Sequence, residues 1–78
     1  MPTVLRQNGF RVVIYPNDHI PAHVHVEKAG GYLKVGIDTP DLLVFGNFGL
    51  SSKEQRQAYD LVAANREFLL QKWERIHG

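Results

Sequence analysis

Between Ala22 and Glu27 the chain alternates, Ala-His-Val-His-Val-Glu, and this pattern restricts the fold more than any other stretch. In an extended strand successive side chains point to opposite faces, so Val24 and Val26 share one face while His23, His25 and Glu27 share the other. A β-branched row backed by a titratable row describes a half-buried strand in an antiparallel sheet. Its partner follows directly, because Lys28-Ala29-Gly30-Gly31 separates it from Tyr32-Leu33-Lys34-Val35-Gly36-Ile37-Asp38. Gly-Gly supplies the positive φ angles of a two-residue hairpin loop. With Gly30-Gly31 as the loop, Val26 faces Val35 and Val24 faces Ile37, while Glu27 faces Lys34, His25 faces Gly36 and His23 faces Asp38. Moving the loop to Ala29-Gly30 keeps both faces and changes every partner. A slip of one residue would instead mix the faces.

The rest of the chain arranges itself around that hairpin. Strands are predicted over residues 3–6 and 10–15, joined by Asn8-Gly9, a strong hairpin signal between β-prone runs. Pro16-Asn17-Asp18 stops the second strand, and Pro21 holds Ile20 extended, which places His19 in a stiffened loop ahead of the strand over 22–28. The fourth strand covers 32–38. The apolar segment 42–50, broken by Gly46 and Gly49, reads as a further short strand or as an apolar connection; as an edge it would offer a surface for self-association or a partner. Ser51-Ser52-Lys53-Glu54 is a capping box, and from there to residue 76 the apolar residues Ala58, Leu61, Val62, Phe68, Leu69, Trp73 and Ile76 recur at helical spacing. Asn65 falls on that stripe, as an amide bonded to backbone or one reaching towards the histidines. The expectation is an α+β domain spanning 1–78: three or four antiparallel strands on one long helix over 52–76, with the histidine face left open.

Composition limits the alternatives. A chain of 78 residues buries about 60–65% of its unfolded surface, so a metal or a second chain is a natural source of added stability. Cysteine is absent, which removes disulfides and thiolate metal sites and fits the cytoplasm. A formal net charge of +1 gives no bulk attraction to nucleic acid. No apolar run reaches the roughly 18 residues of a membrane span, and no secretion signal opens the chain.

The histidines carry the candidate chemistry, since three of the four lie between positions 19 and 25. Imidazoles titrating near neutrality can serve as base and acid on one substrate. On that reading His19, His23, His25 and Asp38 are catalytic and Asp38 orients His23. Arg6, Arg11 and Lys34 would hold a phosphate, and Tyr15 or Tyr32 would stack on a base, as in a metal-independent ribonuclease. A divalent transition metal is the alternative, held by Asp18, His19, His23, His25 and Glu27; all-N/O ligation suits zinc, nickel or iron better than magnesium. The third reading is a non-enzymatic docking module. His77, near the chain end, reads as a helix-end cation or a solvated side chain.

Met1-Pro2-Thr3-Val4-Leu5-Arg6 with Gly9-Phe10, Asn17-Asp18-His19-x-Pro21-x-His23-Val24-His25-Val26, Gly49-Leu50-Ser51, and Asn65-Arg66-Glu67 through Leu69-Leu70-x-Lys72-Trp73 span essentially the whole chain. Together they resemble a family of small bacterial proteins, the domain-of-unknown-function family 4160. Its signature positions map onto Asp18, His19, Pro21, His23, His25, Asn65 and Trp73. The family commonly has Asn and Pro where this chain has Ile20 and Ala22, which loosens the loop relative to other members. The resemblance implies a toxin component encoded beside a small protein partner, as in toxin–antitoxin modules, and carries no catalytic assignment. The expected partners are therefore an antitoxin-like protein or a second copy, with RNA as the substrate and no membrane.

Overall fold

The computed structural model describes residues 3–78. Five strands form one antiparallel sheet in chain order: β1 (Thr3–Gln7), β2 (Phe10–Val13), β3 (His23–Lys28), β4 (Gly31–Gly36) and β5 (Leu43–Phe48). Two helices follow, α1 (Ser52–Ala64) and α2 (Arg66–His77). The class is α+β, as expected, but segment 42–50 contributes a fifth strand and the single long helix is two. No helix of the described residues is long and apolar enough to cross a membrane.

Both tight hairpins turn on paired positive φ angles, Asn8 (+54°) with Gly9 (+80°) and Ala29 (+47°) with Gly30 (+86°). That is the loop geometry matching the right-handed twist of the flanking strands. The second loop is thus Ala29-Gly30, and Gly31 begins β4 opposite Lys28. The observed partners are Val26–Leu33, Val24–Val35, Glu27–Tyr32, His25–Lys34 and His23–Gly36. His23 therefore does not face Asp38, nor His25 Gly36. Gly31 is small for a separate reason: a Cβ there would lie 2.9 Å from the carbonyl carbon of Gly49, where the chain leaves β5.

The core lies where the pattern put it. Phe10, Val12, Ile14, Val24, Val26, Leu33, Val35 and Ile37 are buried in one cluster with Ala58, Leu61, Val62, Leu69 and Trp73 of the helices. The Ser51 hydroxyl accepts from the Glu54 amide at 3.1 Å, and the Ser51 amide donates to the Glu54 carboxylate at 2.9 Å, closing the predicted capping box. Asn65 interrupts the helix at φ −119° and ψ 18°, and its amide nitrogen donates to the Leu61 carbonyl at 2.8 Å. That is the backbone-bonded alternative for this side chain. The apolar stripe keeps its helical spacing across the break, Ala58 and Val62 of α1 continuing in Leu69 and Trp73 of α2, while Phe68 and Ile76, expected in the core, are exposed.

Candidate functional site

The sheet face away from the core carries rows of side chains that run across the strands. One row reads Arg6, Arg11, Glu27, Tyr32, Phe48 from β1 to β5; the next places His25 beside Lys34, and the third sets His23 beside Gly36. The face is not open at the histidines, in contrast to expectation. His23 is only 5% exposed, with its ring centroid 5.4 Å from Trp73 and 6.2 Å from Phe45. Phe45 also lies over Gly36, where a Cβ would meet its ring at 2.8 Å. The gap that Gly36 opens is filled from within the chain. His25 packs edge-on against Tyr15 at 5.0 Å and His23 at 5.4 Å, and tilts against Tyr32 at 5.4 Å.

Asp18 supplies the carboxylate of this cluster. The turn Tyr15-Pro16-Asn17-Asp18 closes through the Asp18 amide donating to the Tyr15 carbonyl at 3.0 Å, with proline at the position whose fixed φ favours such a turn. Oδ2 of Asp18 comes to 3.3 Å from Nε2 of His23 and 3.8 Å from Nδ1 of His25. All three ligand atoms lie within 4.8 Å of one another. Each is buried, and none makes a hydrogen bond. On its other side the His23 ring lies 2.9 Å from the Pro21 carbonyl through Nδ1. A carbonyl only accepts, so Nδ1 carries the proton, and in the neutral imidazole the Nε2 lone pair is the one turned to Asp18. Burial pushes the His25 imidazole below its ordinary value; the Asp18 charge opposes this, while His23 and Lys34 push it further down.

Three potential ligand atoms thus converge, buried and without a hydrogen bond. Buried polar atoms in that state cost about 1–3 kcal/mol each, a cost that a shared proton or a bound cation would offset. The chemistry of the donors fits a divalent transition metal. Tetrahedral ligands at about 2.0–2.1 Å from zinc stand about 3.3 Å apart; the Asp18–His23 pair has that separation, and the wider pairs, 3.8 Å for Asp18–His25 and within 4.8 Å for the set, would draw in around an ion. An imidazole whose other nitrogen is held by a backbone carbonyl is the usual preorganised ligand.

The remaining predicted residues divide clearly. Glu27 is not a ligand: Arg11 donates to one of its carboxylate oxygens and the Tyr15 hydroxyl to the other at 2.8 Å. Burial pushes the Glu27 carboxyl up, but these two hydrogen bonds and the Arg11 charge outweigh it and hold the group below the ordinary carboxylate range. Asp38 is exposed beyond β4 and lines a separate groove with Ile20, Pro21, Leu70, Trp73 and Glu74. It belongs to no histidine pair. His19 is exposed at the rim of a depression of about 420 Å³ that Asp18, His23, Lys34 and Phe45 also line. Arg6 is exposed on β1. His77, expected as a helix-end cation or a solvated side chain, lies in the last turn of α2 with Nδ1 3.0 Å from the Trp73 carbonyl, and its ring stacks on Trp73 with centroids 3.7 Å apart.

The chain belongs to the family described as Domain of unknown function (DUF4160), whose family model matches residues 9–74. The matched span contains Asp18, His23, His25 and Trp73. Neither curated proteins nor solved structures give a match.

Proposed function

We infer that Asp18, His23 and His25 hold a divalent transition metal and that the depression beside them is a hydrolytic site. The observation that carries this is the convergence of Asp18 Oδ2, His23 Nε2 and His25 Nδ1, all buried and all without a hydrogen bond. A set of three protein ligands is typical of catalytic rather than structural zinc sites. A metal held by Asp18, His23 and His25 would supply an activated water near neutral pH. The protein's own part is to fix two imidazoles through the Pro21 carbonyl and the aromatic packing, and to keep water from the remaining sides. His19 on the rim supplies a proton to the leaving group, and Lys34 faces the charge that develops on the substrate.

This reading ranks above metal-independent acid–base catalysis because His23, enclosed by Trp73 and Phe45, is only 5% exposed and has little surface to offer a substrate. A toxin component of a two-gene module, the cellular role that the resemblance implies, is served by either chemistry. Titration calorimetry of the metal-free chain with zinc near pH 7.5 tests the site. One equivalent binds to the native chain, and D18N or H25A weakens binding by more than about tenfold, while circular dichroism shows both variants folded. Absence of heat with the native chain, or equal affinity in both variants, overturns it.

A further inference from the structure

The sheet face that holds the candidate centre has a second feature the centre does not use. Tyr32 and Phe48 stack with centroids 4.7 Å apart and planes 25° apart. Phe48 is 50% exposed and Tyr15, beyond His25, is 38% exposed. Stacking against its neighbour, Phe48 also covers Gly46, where a Cβ would lie 2.6 Å from the ring. Two cations share the face: Lys34 beside the rings, in the row between His25 and Gly46, and Arg6 at the far end of the row that Phe48 ends. Among the described residues neither makes an ion pair, whereas Arg11 is taken by Glu27. Four inter-strand spacings separate Arg6 from Phe48, about 19 Å of sheet.

We propose that this face binds single-stranded nucleic acid, its bases stacking on Phe48 and Tyr32 and its phosphates meeting Lys34 and Arg6, and that it leads the strand to the Asp18–His23–His25 site. Flat rings exposed on a sheet with cations beside them fit this ligand because every base has a π-face and every linkage an anion. A duplex hides its bases within the stack and has no use for the rings. A protein partner would use the apolar rings but not the two uncommitted cations. The assignment of the strand as substrate rests on the hydrolytic reading, but its binding does not.

The two are therefore separated by measuring binding without metal. Fluorescence anisotropy with labelled ten-residue oligouridylate, oligothymidylate and a duplex of the same length, in EDTA and 50 mM salt, gives binding of single strands and weaker binding of the duplex. The RNA and DNA arms show whether the 2′-hydroxyl is read. F48L keeps an apolar group over Gly46 and removes the stacking surface; it weakens binding by about fivefold or more, while F48W restores it. K34A lowers the dependence of log affinity on log salt by about 0.7. No anisotropy change at tens of micromolar protein, F48L binding as the native chain does, or a concentration-dependent dimer that abolishes binding overturns the proposal, whatever the zinc titration shows.

Discussion

Among the described residues, Ala29 and Asn8 are the non-glycines at positive φ, and alanine has the weaker tolerance for it. At φ +47° Ala29 occupies the left-handed region, which costs an ordinary L-residue about 1–2 kcal/mol and asparagine less. Replacing it makes the hairpin Asn-Gly, like the first turn. A29N is expected to stabilise the chain by about 1 kcal/mol, a rise in Tm of about 4–8 °C for a domain of this size. Thermal melts followed by circular dichroism check it, and a lowered Tm contradicts the turn assignment. The same residue shows how far sequence reasoning reached. Gly30-Gly31 looked like the loop because two glycines satisfy two positive φ angles. Gly31 is instead required by the approach of Gly49, a long-range contact that no local pattern carries. The histidine row was legible from alternation alone. Its enclosure was not, since Trp73 and Phe45 reach His23 from opposite ends of the later chain. Asp18 was visible only as one member of a wider ligand set, and the hairpin register decided between it and Asp38.

Among the elements, α1 was the most legible because its start is written in local chemistry. Ser51 and Glu54 satisfy each other's orphan groups, and Asn47 braces the approach by accepting from the Leu50 amide at 2.9 Å. The break at Asn65 was hidden, because its neighbours continue the helical period and no glycine or proline marks it. What holds the break in place is a tertiary contact. The Arg66 guanidinium donates to the carbonyls of Ile37 at 3.0 Å and Thr39 at 2.9 Å, pinning the start of α2 to the chain beyond β4. The capping box also predicts a pH dependence. The Ser51 amide, chiefly, holds the Glu54 carboxyl below its ordinary value, with smaller help from the Ser51 hydroxyl and Lys28 against slight desolvation. A carboxyl depressed by folding adds stability above its unfolded pKa of about 4.3 and loses it as pH falls through the lower folded value. Glutamine at position 54 accepts the same bond without titrating. The native chain should therefore melt above E54Q at pH 7, with the gap closing towards pH 3. A gap that stays constant over that range contradicts the assignment.

At the scale of the molecule, a two-layer domain with helices on one side of a meander leaves the other sheet face to be completed by its own side chains. Here Phe45 and Phe48 lie over Gly36 and Gly46, Glu27 gathers Arg11 and Tyr15, and the centre is left with three ligand atoms and no partner. That residue types were right and their geometry only partly so follows from this layout. Strand alternation assigns faces, but what lies over a face comes from β5 and α2, whose placement depends on packing. The central claim is that the gap between Asp18, His23 and His25 is a metal site, and anomalous diffraction at the zinc absorption edge, from crystals grown with one equivalent of zinc, tests it most directly. The account predicts a single strong peak about 2.0–2.2 Å from Asp18 Oδ2, His23 Nε2 and His25 Nδ1. Zinc density at His19, His77 or a lattice contact, with those three atoms bare, would contradict it.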